Sequence, residues 1–317
     1  MLGIRLPAAI GLLALTSLAA LANDKVVVAV GQRGYWDTAV SELGKQHGIF
    51  QKHGLDLDLL YTQGGGETIQ AVISQSVNIG IAAGTTGVFG AYSKGAPIRI
   101  IGTQATGSAD FWYVRADSPI KSMAEVPPTA TITYSTNGSS SYSEALAFVK
   151  KYNLKAKTMA SGSPTTTFTQ VMSGQLDMGF GSPPFAFPEL ASQKIRLIGK
   201  ANDVDRIKTQ SIRVIVTNVA FLAERKDVVG RFIDAYRETL DWMYSDDAAL
   251  EAFASFAAID VPNARKARDE FFPREMLEPD RMSGIPALME DAISFKVLSQ
   301  PLDQKQLDEL IQMPPRK

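Results

Sequence analysis

The residue types that most often carry catalysis are scarce in this chain. Its 317 residues include two histidines and no cysteine, which removes thiol nucleophiles, disulfides and cysteine-based metal sites. His47 and His53 lie six apart around a helix end. They do not share a helical face as metal ligands would, and they read as solvated surface residues. No serine sits in a Gly-x-Ser-x-Gly elbow, and Gly64-Gly65-Gly66-Glu67 lacks the Gly-Lys-Ser/Thr of a phosphate loop. Asp246-Asp247 reads as a solvated helix start. No acid, base and nucleophile come together, so the expectation is a binding protein with no enzymatic activity, metal or cofactor.

What recurs instead is a small-residue loop after a strand and before a helix. Four stand out: Gln32 to Trp36, Gly84 to Gly87, Thr136 to Ser140 and Ser182 to Pro184. Free N–H groups and the positive end of a helix dipole suit such places to anions and polar heads. Each alone also fits an ordinary helix cap. Four at strand ends in one α/β chain point to a site outside the carboxyl ends of the strands.

The elements that must position these loops alternate between strand and helix. Lys25 to Val30, Leu55 to Tyr61, Asn78 to Ala82 and Pro97 to Gly102 read as strands. Helices are expected from the Gly31 to Asp37 loop through His47, after Gly64 to Gly66 and after Gly84. Gly48 to Gly54 reads as a helix end and turn. The plan then repeats, with strands at Ala130 to Tyr134, Lys155 to Met159 and Asp177 to Phe180. Its helices fall at Tyr142 to Tyr152 and Thr166 to Met172. Such alternation argues for mainly parallel sheets.

The repeat has a register. Thr68 to Ile81 lies ungapped over Thr167 to Phe180, 99 residues on, with Thr68/Thr167, Val72/Val171, Ser74/Ser173 and Gly80/Gly179 identical. Leu55/Leu154 extends it backward. Two similar units facing each other would leave a cleft. Phe111 to Arg115 and Ile212 to Thr217 are read as crossings between them, and so as the hinge. After Thr217 the chain turns helical, and Asp227 to Tyr244 sets Val228, Val229, Phe232, Ala235, Tyr236 and Leu240 on one face.

Residues 1–22 read as a cleaved export signal: Arg5, an apolar run from Ala8 to Leu21, and a small-x-small site ending at Ala22. The run is shorter than the roughly 20 apolar residues of a spanning helix. Without Arg5 the balance of 32 basic to 33 acidic residues becomes 31 to 33, no footprint for nucleic acid or an anionic membrane. With no cysteine to carry a lipid, a periplasmic address is expected.

Three stretches then carry a family likeness: Gly48-Ile49-Phe50-Gln51-Lys52-His53-Gly54-Leu55, Gly64-Gly65-Gly66-Glu67, and Val77-Asn78-Ile79-Gly80-Ile81-Ala82-Ala83-Gly84-Thr85. With Gly174 to Gly179 and Val228 to Tyr236, the chain resembles solute-binding proteins of nitrate/sulfonate/taurine-type ABC importers, within the thiamine-pyrimidine-synthase-like superfamily. The resemblance implies a two-lobed, type II periplasmic-binding-protein-like α/β fold. Each lobe would be a mainly parallel sheet flanked by helices, and a C-terminal helical segment would pack on lobe 1. Lobe 1 would comprise 23–108 and 218–317, and lobe 2 would comprise 109–217. It implies a monomer that binds a small organic solute (a sulfonate, or an organic or aromatic acid) and delivers it to an ABC permease in the inner membrane. The alternatives are a pyrimidine- or thiamine-precursor-binding or enzymatic relative, and a detached sensor module.

Carried onto this sequence, the family's pocket positions fall on Gln32, Trp36, Thr85, Thr86, Asn137, Gly138, Ser139, Ser140, Ser182 to Phe185, and Arg213. Trp36 would stack on the solute or serve as a lid, or else be a half-buried aromatic of lobe 1. Arg213 would clamp an anionic group through its rigid fork, or pair with Asp110 or Glu189. Arg33 competes for the clamp. Asp110 either faces a ligand ammonium or simply ends its strand. Hydroxyls and amides dominate these loops, which favours an organic solute over a bare inorganic anion.

Overall fold

The computed structural model describes residues 23–316; the expected signal peptide lies outside them. The β-branched run Asp24–Gly31 forms strand β1, and Leu55–Thr62 forms β2, alternating buried and exposed in its first half. Between them lie the short helices α1 (Val40–Gln46) and α2 (Ile49–Lys52), the second within the stretch 48–54 expected as a helix end and turn. Helix α3 (Gly65–Ile73), strand β3 (Ile79–Gly84), helix α4 (Thr85–Ser93) and strand β4 (Ile98–Ala105) follow. The chain then forms β5 (Phe111–Arg115), β6 (Thr131–Tyr134), α5 (Ser140–Lys151), β7 (Lys157–Ala160) and α6 (Pro164–Met172). Next come β8 (Met178–Gly181), α7 (Phe187–Ala191), β9 (Ile195–Lys200) and the return strand β10 (Arg213–Asn218).

The first sheet has the order β2-β1-β3-β10-β4. Its β1, β2 and β3 run parallel, while β10 is antiparallel to both neighbours. The second region holds an antiparallel sheet, β8-β5-β9, and a parallel pair, β6-β7. The α/β plan is as expected: in the first sheet only β10 runs against the other strands, while the second region is mixed. Phe111–Arg115 and Arg213–Asn218 are each paired on both sides within one sheet, so these strands are not themselves crossings. The links before them, around Asp110 and residues 201–212, join the two regions.

Helices α8 (Val219–Glu224), α9 (Lys226–Ser245), α10 (Ala248–Ala257) and α11 (Val261–Phe271) come next. The expected apolar face of α9 is buried against β1, β2, α1 and α2, in one core with Phe253 and Phe272. Helices α12 (Ile285–Ser294) and α13 (Gln304–Leu310) bury Leu288, Leu307 and Leu310 on the other face of the same sheet. A separate core around Trp112, Ile132, Phe148 and Phe180 fills the second region.

The 99-residue register persists in the hydrogen bonds. Helix α3 shifted by 99 gives the bounds of α6. Thr68 bonds Thr62 at 2.9 Å and the Gly64 carbonyl at 3.5 Å; Thr167 bonds Ser161 at 2.7 Å and the Ser163 carbonyl at 3.0 Å. Asn78 accepts the Val27 N–H at 2.8 Å, and Asp177 accepts that of Thr131 at 3.3 Å. Gln75 and Gly174 both take positive φ after their helices, 61° and 78°. The recurring Gly80 and Gly179 are required by close approach. A Cβ would lie 2.8 Å from Thr68 at the first and 2.3 Å from the Tyr113 hydroxyl at the second.

Candidate functional site

The ends of β1, β3 and β8, the N-terminus of α3 and the loop into α5 converge on one cavity of about 30 Å³. Gln32, Tyr35, Asp110, Ser139, Ser140 and Arg213 are among the residues that line it. A cavity of this size admits a group of a few heavy atoms, since a single water needs at least roughly 10–15 Å³. A larger groove, about 890 Å³, runs outside the first sheet between Leu222, Val229 and the 311–315 tail, away from the strand-end loops singled out in the sequence.

Arg213 is the centre of the cavity wall. β10 enters the sheet here against Gly84 and Ala105, which fixes the start of the side chain among the loops. It is 5% exposed, and all three of its nitrogens are engaged. Nε donates to Ser140 Oγ at 2.9 Å, Nη1 to Asp37 Oδ2 at 2.5 Å and Nη2 to Asp110 Oδ2 at 2.7 Å. Burial works against its charge, but Asp110, Asp37 and Glu144 outweigh that and strengthen its hold on the proton. Asp37 is further fixed by Gln104, which donates at 3.0 Å. This node ties a loop of the first sheet, the link before β5 and the first residue of α5.

Glu144 lies one turn into α5, 1% exposed. Burial first, then the Asp110 carboxylate, raises its pKa well above the ordinary carboxylate range, with Arg213 opposing. Both of its oxygens and Asp110 Oδ1 lack a donor if every carboxyl is ionised. A proton on Glu144 shared with Asp110 supplies one, and Glu144 is therefore a neutral acid here. Tyr35, buried beside Asp110, is likewise held as the neutral phenol by burial and by that carboxylate.

The other expected positions divide. Gln32, Ser139 and Ser140 line the cavity with Arg213. Ser139 also caps α5 by accepting the Tyr142 N–H at 3.1 Å. Thr85 and Thr86 do not line it and are satisfied internally, Thr85 by the Ser211 carbonyl and Thr86 by Ser143, each at 2.5 Å. Asn137 is exposed and accepts the Tyr134 hydroxyl at 2.6 Å, while Gly138 packs on Gly87. Ser182 is fully buried with its hydroxyl unpartnered.

Trp36 corrects the stacking or lid expectation. It is wholly buried in the first core, donates to the Tyr244 hydroxyl at 2.9 Å, and meets Phe253 edge-on with centroids 5.0 Å apart. Phe185 packs against Tyr113, Phe168 and Gly181 rather than the cavity. Arg33 covers the Phe256 ring at 4.3 Å. His47 is exposed and stacks on Trp242, whereas His53 is partly buried and bonds Glu238 at 2.8 Å. Neither histidine lines the cavity.

Sequence reasoning missed Asp37, Glu144 and Tyr35. The signal for Asp37 was its place in the Gln32 to Asp37 loop. Glu144 had one only in retrospect, as an acid on the buried face of α5 beside Ala145 and Phe148.

Three glycines let the two regions touch. A Cβ on Gly66 would lie 2.0 Å from the Asn137 carbonyl oxygen, and on Gly84 and Gly87 it would lie 2.3 and 2.2 Å from that of Gly138. Among the described residues, no helix is long and apolar enough to cross a membrane, and no cluster of three or more His, Asp or Glu is arranged to hold a metal ion.

The sequence model of the family described as NMT1/THI5 like matches residues 39–249. No curated protein matches the chain by sequence. Among solved structures, it is similar to the alkanesulfonate-binding protein SsuA from Xanthomonas axonopodis pv. citri bound to MOPS. The TM-score is 0.75 and the identity 15%, over 91% of this chain and 98% of that one. It is also similar to the periplasmic nitrate-binding protein NrtA from Synechocystis PCC 6803, with TM-score 0.67 and 12% identity, over 92% and 86%. A third likeness is to the desulfurization enzyme DSZB, with TM-score 0.62 and 16% identity, over 92% and 97%. At these identities the likenesses establish the periplasmic-binding-protein fold. They leave the solute open, and the fold serves binders and an enzyme alike.

Proposed function

We propose that this chain, which belongs to the NMT1/THI5-like family, is the periplasmic solute-binding component of an ABC importer. It would capture a small organic solute between two lobes and hand it to the permease. Lobe 1 would be 23–108 with the chain from β10 onward, because β10 pairs within the first sheet, rather than from 218 as the sequence suggested; lobe 2 would be the stretch between, and the links before β5 and β10 would act as the hinge. The observation that carries the reading is the buried node of Arg213, Asp37, Asp110 and Ser140, which joins loops of both regions around a cavity at the strand ends. A solute touching both sides stabilises the closed arrangement by its differential contacts. An enzymatic reading has less support: both histidines lie away from the cavity, and the charged groups beside it pair with one another.

A thermal-shift panel of sulfonates, aromatic acids, nitrate, bicarbonate, pyrimidines and amines tests the proposal. A true solute at 100 times its Kd adds about 2.7 kcal/mol of stability. A panel that leaves the melting midpoint unmoved, together with turnover of any member, would replace the binding reading with an enzymatic one.

A further inference from the structure

We infer that this protein pairs with a second copy of itself through two exposed strand edges, an acidic one on β2 and a basic one on β7, in a closed two-fold dimer. The family resemblance implies a monomer instead. The pairing does not depend on the cavity or on which solute enters it.

Three large apolar side chains are exposed among the described residues, Leu60, Met159 and Val261, and the first two stand 99 residues apart. They occupy the same position of the repeat. Each ends a row of exposed residues alternating with buried ones. Asp56, Asp58 and Leu60 form the row on β2, with Leu55 and Leu57 beneath. Lys155, Lys157 and Met159 form the row on and just before β7, with Leu154 and Ala156 beneath. Successive members lie about 7 Å apart along a strand. The rows match position for position, and the charge is reversed. Lys155 reaches Asn153 at 3.3 Å; among the described residues no ion pair holds any of the four charges.

Both strands are edges. β2 pairs with β1 alone and β7 with β6 alone. Lysines on an edge keep sheets from joining, and a basic row by itself would mean no more than that. An acidic row at the matching edge changes the outcome, because each edge then attracts the other edge of a second copy.

The ends of the two strands meet. Gln63, just after β2, accepts the N–H of Ser163, just beyond β7, at 3.2 Å. Gly162 is the register mate of Gln63, and a Cβ there would lie 3.7 Å from the Gln63 amide oxygen. The rows therefore run back from one point, one on each region. A two-fold axis through that point, set across the line joining the regions, lays the acidic row of each copy on the basic row of the other. Such a contact closes on itself with two copies and leaves no free end. Leu60 of each copy covers Met159 of the other near the middle of the face.

The test is sedimentation velocity at about 10 mM and about 1 M salt, where the screening length is about 30 and 3 Å. A monomer–dimer equilibrium is expected at low salt, with the dimer fraction falling as salt rises. Asp56→Lys with Asp58→Lys makes both rows basic, and Lys155→Asp with Lys157→Asp makes both acidic. Each double variant alone should raise the dimer dissociation constant at least about 10-fold, and an equal mixture of the two should form dimers again. Thermal melts confirm that both variants fold, and a merely structural role for these residues gives no recovery on mixing. A wild-type protein that stays monomeric at low salt overturns the inference and leaves the rows to another partner, such as the permease. An unchanged dissociation constant in either folded variant, or a mixture that stays monomeric, overturns it as well. Growth beyond dimers overturns the closed two-fold arrangement.

Discussion

Replacing Gly87 with alanine should weaken solute binding without harming the fold. Gly87 lies in the first turn of α4, in ordinary helical backbone, where alanine is favoured over glycine by about 1 kcal/mol. The added Cβ would stand 2.2 Å from the Gly138 carbonyl oxygen and 2.7 Å from its Cα. Ordinary contacts are above 3 Å, so the Asn137-Gly138 turn must retreat by about an ångström. Backbone shifts forced by one extra carbon cost typically 1–3 kcal/mol. Because Gly87 and Gly138 lie on opposite sides of the proposed cleft, that cost falls on the closed state alone. The apparent Kd should rise about 5- to 150-fold, while urea denaturation of the solute-free protein shows equal or greater stability. Calorimetric titration beside urea melts separates the two effects. Unchanged affinity in a normally folded Gly87→Ala protein would refute the claim that this contact belongs to the solute-bound state.

Other substitutions probe the node and the duplication. Glu144 holds its proton more tightly folded than unfolded, so stability is greatest below the unfolded value, about 4.3. It falls as pH rises toward the raised folded value, by about 1.4 kcal/mol per unit. Glu144→Gln should lack that slope, so the difference between wild-type and variant urea midpoints should shift against the wild type as pH rises from 5 to 7. Arg213→Met strands the buried Asp37 and Asp110 carboxylates and should cost about 3–5 kcal/mol in urea denaturation. Asn78→Ala leaves the Val27 N–H without its acceptor and should cost about 1–3 kcal/mol. Asp177→Ala, at the matching but exposed position, should cost less than about 1 kcal/mol by the same measurement.

The elements and the repeat were legible because they rest on local pattern. Val26 to Val30 can hardly be anything but a buried strand, and Thr68 and Thr167 make the same hydrogen bonds because the same helix start was written twice. Strand direction was not legible, because whether β5 and β10 run with or against their neighbours depends on where distant strands fall. The cavity was legible as a set of strand-end loops, and Gln32, Ser139, Ser140 and Arg213 came from those loops. The partners of Arg213 were harder to foresee. Asp37, Asp110 and Ser140 lie 176, 103 and 73 residues away, and sequence spacing says nothing about such approaches. Trp36 shows the converse error. A tryptophan in a binding loop invites a stacking role, but Phe253 and Tyr244 arrive from the C-terminal helices to bury it.

The central claim is that a solute draws the two regions together around Arg213. Small-angle X-ray scattering tests it most directly, with the radius of gyration followed as the panel's strongest stabiliser is titrated in. The account predicts a fall that saturates at one solute per chain and is absent or right-shifted in Gly87→Ala. Saturated binding with unchanged scattering, or compaction that Gly87→Ala leaves untouched, would contradict it.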